Sequence, residues 1–479
     1  MPKPHSVSAS DQTLPVANQR TIWALSWPII LSNITVPLLG LVDTAILGHL
    51  DDSRPMAAVA IGAQLFTLLL WSFGFLRMGT TAVTAQAIGQ SGVNRALFVL
   101  QQALWTVLPI GILCLTLALS LTPLLLPFFG DDLVVKSMAA EYLTVRFWGI
   151  PIVLLQYCFI GWFIGRGDTR IPMAMLIVAN VLNALLDYLF VWHFDMGAAG
   201  VALGTLLADT GALLIAIYAA YRCGLRLPFS APQLTLLKNM LVINSHLFVR
   251  TLCLLSVFAL FTALGANQGS IVVASNAVLI TLLLLISNAL DGFAHAAESL
   301  TGRYLGAKKI EQVHTTLKLT ALDTVLVAAL MSIAFALGGD LLFTLLTDNP
   351  EVLPRLESMH LWLWLLPLTG AASYWLDGVM IGAQASKAMR NSMLAAAFFV
   401  FLPLATLPHW LSFMTEHLTS FHWVEWSENW QSSWLSNGSS NNVYLWVAFH
   451  LFLLARAVFL LPVFLTLWRN PQKFSAIDW

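Results

Sequence analysis

The sequence predicts an all-α membrane protein of twelve transmembrane helices in two pseudo-symmetric six-helix lobes. Three observations predict it. Of 479 residues, 58% are hydrophobic and 10% charged, with a mean hydropathy of +0.79, which leaves too few polar side chains to cover a soluble surface. The apolar residues gather into runs of about 20 or more, the length a hydrocarbon core of about 30 Å demands. There are twelve such runs, and marks of the first six recur in the second six.

Residues 1–20 are polar, contain Pro2, Pro4 and Pro15 and lack an apolar signal-peptide core, so they read as a short cytoplasmic lead-in. The spans are expected at 21–48, 57–88, 96–126, 134–164, 171–193, 198–221, 240–264, 271–302, 312–338, 352–384, 390–411 and 443–468. The first six form an N-lobe (21–222) and the last six a C-lobe (240–468), joined by a basic linker (223–239) with Pro228 and Pro232. Residues 469–479 form a cytoplasmic tail. Before the last span lies a polar, Trp-rich outer loop (409–442), where Trp423, Trp426, Trp430 and Trp434 fall on one face of a helix suited to the outer interface, followed by a disordered AsnGlySerSer tip. With the N-terminus inside, sixteen Lys and Arg fall in inner segments and only Arg54, Lys136, Arg146 and Arg355 in outer ones. That bias places both termini in the cytoplasm.

The halves repeat. GlnAlaIleGly at 86–89 is answered by ArgTyrLeuGly at 303–306, a shift of 217, and Glu141 and Pro151 by Glu357 and Pro367, a shift of 216. Two lobes of equal orientation are related by an axis along the membrane normal, a pattern that reads as alternating access around a cavity between or within them.

Ionisable groups inside a membrane are costly and read as functional by default. Seven acids stand out inside the spans: Asp43, Asp187, Asp209, Asp291, Glu298, Asp323 and Asp377. Against them stand the intramembrane bases Arg77, Arg250 and Arg456, a negative surplus that suits protons or cations. Asn180, Asn183 and Asp187 follow i, i+3, i+7 spacing and share one helix face. They either glue helices together or place Asn183 and Asp187 in one pocket with Asp43, where two neighbouring acids cannot both stay ionised. Asp209 either joins that pocket or pairs with a helix terminus. Asp291 and Glu298 share a face, and with Asp377 they are expected to pair with Arg250 or Arg456. Asp323 reads as a boundary residue near its helix start, and Arg77 as a brace for the second helix. Pro28 removes a backbone donor from the first span, where a bend is expected.

The four cysteines form no CxxC pair, and His409, His417 and His422 lack ligand spacing, so no metal or disulfide framework is indicated. No GxxxxGK[ST], HExxH or GxSxG stretch occurs, which argues against an ATP engine or membrane enzymology and for an ion gradient as the energy source.

Several stretches carry a family resemblance: 27–50 (WPIILSNITVPLLGLVDTAILGHL), 73–89 (FGFLRMGTTAVTAQAIG), 165–173 (GRGDTRIPM), 180–192 (NVLNALLDYLFVW), 200–211, 289–309 and 376–393. Together they cover nearly every span, and the chain resembles a multidrug and toxic compound extrusion (MATE) transporter of the bacterial DinF-like branch. The resemblance implies a V-shaped pair of lobes in the bacterial inner membrane. It also implies export of organic cations or amphipathic drugs in exchange for protons, with sodium as the alternative coupling ion and no bound cofactor. The matching N-lobe acidic site is Asp43, Asn183 and Asp187, with Tyr142 and Thr205 in second rank beside Asn180 and Asp209. Pro28 matches a first-helix bend linked to protonation of Asp43. No nucleic acid is implied, and internally symmetric lobes make a monomer sufficient. The competing readings are a flippase for a lipid-linked saccharide, which calls for a cationic groove, and an intramembrane enzyme. The long Trp-rich loop departs from the family pattern.

Overall fold

The computed structural model describes residues 14–48, 52–125, 132–227, 229–407 and 438–475; the side chains of 34, 36–45, 48, 125 and 438–441 lie outside that description. Among the described residues every regular element is helical. Within a bilayer this is the economical solution, because a helix satisfies its own backbone polar groups.

The N-lobe contains α1 (Gln19–Gly48), α2 (Arg54–Trp71), α3 (Phe75–Leu125), α4 (Leu133–Phe147), α5 (Gly149–Arg166), α6 (Arg170–Tyr188) and α7 (Gly197–Arg222). The C-lobe contains α8 (Leu234–Ala266), α9 (Ser270–Gly306), α10 (Ile310–Leu346), α11 (Leu353–Glu357), α12 (His360–Gly382), α13 (Ser386–Ala396) and α14 (Gly438–Arg469). Short π-helical turns follow α6 at Leu189–His193 and α13 at Ala397–Phe401.

These helices group into the twelve expected spans with three local differences. The second span is broken after Trp71, and its remainder runs into α3, which turns back at Gly92 (φ 74°, ψ −159°). A backbone turn of that kind favours glycine, and Gly92 separates the second span from the third. The fourth span divides at Trp148 and the tenth at Ser358–Met359. The Trp-rich stretch 409–437 lies outside the described residues. The expected disordered tip is corrected in part, since Gly438 already begins α14.

α1 runs unbroken through Pro28 and Pro37. The Ser32 hydroxyl donates to the Pro28 carbonyl. Asp323 lies more than three turns inside α10, not at its start, and is buried with Gln19 Nε2 donating to its Oδ1 at 3.1 Å.

The repeat is written into the backbone packing at a shift of 217. A Cβ on Gly161 would strike the Arg77 carbonyl, and one on Gly378 would strike the Ala294 carbonyl. Gly165 meets the Thr81 carbonyl, and Gly382 the Glu298 carbonyl. Thus α3 lies on α5 as α9 lies on α12. Between the lobes the relation is reciprocal: a Cβ on Gly89 would strike the Arg303 carbonyl, and one on Gly306 the Gln86 carbonyl. Backbones in such contact leave no space for a side chain. This seam joins the lobes at their Lys- and Arg-rich end.

Candidate functional site

The polar face of α6 is buried between α1 and α7. Asn180 Nδ2 donates to the Thr35 carbonyl and hydroxyl of α1, both at 3.2 Å. One turn on, Asn183 Nδ2 donates to the Thr205 hydroxyl of α7 at 3.0 Å, and that hydroxyl donates in turn to the Val201 carbonyl at 2.8 Å. One turn further, Asp187 is fully buried. It fits because position 204 on α7 is glycine: a Cβ there would collide with Asp187 Oδ1 and stand 3.2 Å from its Cγ. The i, i+3, i+7 face of α6 therefore brings Asn183 and Asp187 to the α6–α7 seam with Thr205, while Asn180 reaches α1 instead. The Asp43 side chain lies outside the described residues, so its place beside Asp187 stays an expectation.

Tyr142 is buried on α4 with its ring against Gly62 of α2, where a Cβ would come within 2.8 Å of Cε1. Asp209 takes a separate position. Its carboxylate is 2.9 Å from Arg146 of α4, whose guanidinium lies 3.9 Å from the Phe66 ring centroid, and its carbonyl accepts from Gln156 Nε2 at 2.6 Å. Arg146, which the charge bias places in an outer segment, lies inside the helix packing. It is 7% exposed and serves as a buried counter-ion.

The C-lobe acids line a cavity of about 220 Å³ bounded by α3, α8, α9, α12 and α14. Asp377 is clamped through Oδ2 by both Arg250 and Arg456. The expected pairing of Asp377 therefore holds twice over. Glu298 pairs instead with His295 of its own helix, at 3.0 Å from Nδ1, and with Arg77 from the other lobe, at 3.8 Å. Asp291, on the same face of α9, lines the cavity and makes no hydrogen bond among the described residues. Arg77 thus braces against a carboxylate, as its type suggested, but across the lobe boundary.

Two further features escaped the reading of residues. His295 lies three positions before Glu298, a spacing that puts a base and an acid on one helix face and could have been noticed. Arg303, counted with the inner loops, is 5% exposed and donates to the Arg166 carbonyl at 3.3 Å. With Arg146 and Arg303 added, five buried or half-buried bases oppose the seven acids, and the cavity itself holds three of each.

The MatE family profile matches residues 28–189 and 247–415. The chain belongs to the MatE family. It is a multi-pass membrane transporter, not an enzyme, and one of ion-gradient type with no bound cofactor. The DNA damage-inducible protein F of Escherichia coli (strain K12) is 34% identical over 465 residues, covering 96% of this chain and 95% of that protein. A probable multidrug resistance protein NorM of Acinetobacter baylyi is 24% identical over 401 residues, 81% of this chain and 88% of that one. Among solved structures, a MATE protein crystallised in the bent conformation superimposes with a TM-score of 0.77 at 18% identity, over 95% of this chain and 97% of that one. At that identity the likeness speaks for the fold alone, and the fold it supports is the twelve-helix, two-lobe one.

Proposed function

We propose that this MatE transporter exports organic cations or amphipathic drugs from the cytoplasm in exchange for protons, by alternating access. Asp43, Asn183 and Asp187 form the exchange site. The observation that carries the reading is the burial of the α6 stripe: a carboxylate at 0% exposure, one turn from an amide held by Thr205, on a helix tied directly to α1. A buried carboxylate can hold a proton or a cationic ligand but bears a heavy cost when left charged and alone. Competition between the two ligands for one site is what antiport needs. Occupancy is felt by α1 through Asn180 and Thr35, and Pro28 lowers the cost of bending that helix. The lobes and linker at the sequence boundaries, both termini in the cytoplasm and a monomeric state belong to the same proposal. The multidrug resistance for which the NorM relative is named supports the substrate class.

The test is reconstitution into liposomes with an imposed pH gradient and ethidium as the fluorescent cation. Asp43→Asn and Asp187→Asn should each abolish gradient-driven efflux while the purified protein stays monodisperse. Normal export by Asp43→Asn would overturn the site. Replacing the proton gradient by a sodium gradient at fixed pH should leave efflux at background, and efflux at the proton-driven rate would make sodium the coupling ion.

A further inference from the structure

The internal repeat separates what the fold requires from what it does not. At the shift of 217, the backbone carbonyls of Arg77 and Ala294 receive equivalent glycines, as do those of Thr81 and Glu298. The backbone geometry at these positions is therefore common to both halves, but the side chains are not. The N-lobe copy carries Arg77, Met78 and Thr81; the C-lobe copy carries Ala294, His295 and Glu298. One lobe supplies only a cation, the other only a base and an acid. They meet across the lobe boundary.

We propose that Arg77, His295 and Glu298 form a second proton-binding site, a latch that ties the lobes together when unprotonated and loosens when it gains a proton. The inference rests on the export reading above and adds a site to it. Glu298 is 1% exposed; its Oε1 has no hydrogen-bond partner and its Oε2 stands 3.0 Å from His295 Nδ1. Arg77 Nη1 is 3.2 Å from that same Nδ1 and 3.8 Å from Oε2. One ring nitrogen cannot donate to Glu298 and accept from Arg77 at once. In the unprotonated latch, a neutral imidazole donates Nδ1–H to an ionised Glu298, and Arg77 is held by the carboxylate. The three groups then sum to zero charge. An added proton yields either an imidazolium beside Arg77 or a protonated Glu298 donating to the bare Nδ1. Either way the sum becomes +1, and Arg77 loses net attraction to the C-lobe in a poorly hydrated site.

The surroundings decide where that proton enters. On α9 the cavity spans positions 283–298, and the glycine seam follows at 302–307 on the basic side. The latch is thus reached from the cavity, not through the seam. The charged groups facing it are Asp291 on α9, Arg250 on α8, Asp377 on α12 and Arg456 on α14; Tyr374 also lines the cavity, and Tyr157 of α5 is coupled electrostatically to Arg77. Arg250 and Arg456 are committed to Asp377. Among the described residues neither α1 nor α10 lines the cavity, so Asp291 is the one neighbouring carboxylate able to compete for the proton. A proton arriving through the cavity unlocks the closed basic end, which is the step an exporter must take to turn inward after release.

The test reads the opening of the basic end directly. Spin labels at Arg170→Cys and Lys387→Cys, exposed two-fold mates 217 positions apart, report the distance between lobes by pulsed EPR once the four native cysteines are replaced. As pH falls from about 8 to about 5, the range in which imidazole changes charge, the distance distribution should shift from a short to a long population. Glu298→Gln, which cannot take a charge, should show the long population at every pH, and so should Arg77→Gln, whose partly exposed position makes it the safer variant for folding. Asp291→Asn should keep the pH response. The shift should also persist in Asp43→Asn, which separates this proposal from the N-lobe site. A wild-type pH response retained in both Glu298→Gln and Arg77→Gln, or abolished by Asp43→Asn, would overturn the latch and leave the export reading intact. Absence of any shift in the wild-type chain would overturn it as well.

Discussion

Each buried charge in this protein has to be judged by its neighbours, and Asp377 shows why. The residue is 8% exposed and its Oδ2 holds two guanidiniums at once, whose buried Nε atoms have no hydrogen-bond partner among the described residues. Removing one partner of a buried ion pair costs about 3 to 5 kcal/mol, whereas replacing the whole set by apolar groups of similar volume is often neutral. Asp377→Leu should therefore lower the thermal unfolding midpoint in detergent markedly. The triple variant Asp377→Leu, Arg250→Met, Arg456→Met should recover most of it, and equal melting of the single variant and wild type would show the clamp to be idle. The sequence offered Arg250 or Arg456 as partners for Asp377 from charge alone; that both close on one carboxylate oxygen was not legible there. Periodicity tells which face of a helix an acid occupies, but Asp377 and Arg250 lie 127 positions apart and meet only once the C-lobe is assembled, with α14 against both α12 and α8. The same limit applies to Asp209 and Arg146. By contrast, the α6 stripe was legible, because all its members share one helix.

At the scale of elements, the helices follow from the length of apolar runs, and the short-range signals located the major divisions. What the runs could not reveal is how closely the helices approach. The glycines at 161, 165, 378 and 382 let α5 and α12 rest on the carbonyls of α3 and α9, and those at 89 and 306 do the same between lobes. The motif shift of 217 had marked Gly89 and Gly306 as equivalent, and the structure explains the equivalence: each receives the other lobe's carbonyl. Adding bulk to a tightly packed contact costs about 1 to 3 kcal/mol. In the proposed alternating-access cycle the Gly306 contact belongs to the closed basic end, so Gly306→Val should destabilise that state alone. It should deplete that state by roughly 5- to 150-fold, since each 1.36 kcal/mol is a factor of ten. The Arg170–Lys387 label pair would read it as a long-distance population at pH 8, where the wild-type chain is short. A short distance in Gly306→Val would mean that the seam yields without opening.

The whole molecule is a near-symmetric object whose asymmetries carry the chemistry. Symmetric backbone contacts at Gly89 and Gly306 hold the two lobes together at the basic end. Arg77, His295 and Glu298, and the α6 stripe with no acidic counterpart at 404 (Leu404) for Asp187, break the repeat at the two proposed proton sites. A transporter built this way should stop when its lobes cannot part, whatever the state of its proton sites. Gln90 and Lys308 come from opposite lobes and line one pocket over the seam. Cysteines placed at both and joined by a short bifunctional maleimide should abolish ethidium efflux under a full pH gradient, while each single cysteine treated alike should export normally. The cross-linked protein should still bind ethidium on the side it exposes, because the link restrains the lobes and leaves the α6 site untouched. Undiminished efflux after complete cross-linking would mean that the basic end never opens during turnover, and that the pathway runs within one lobe instead of between the two.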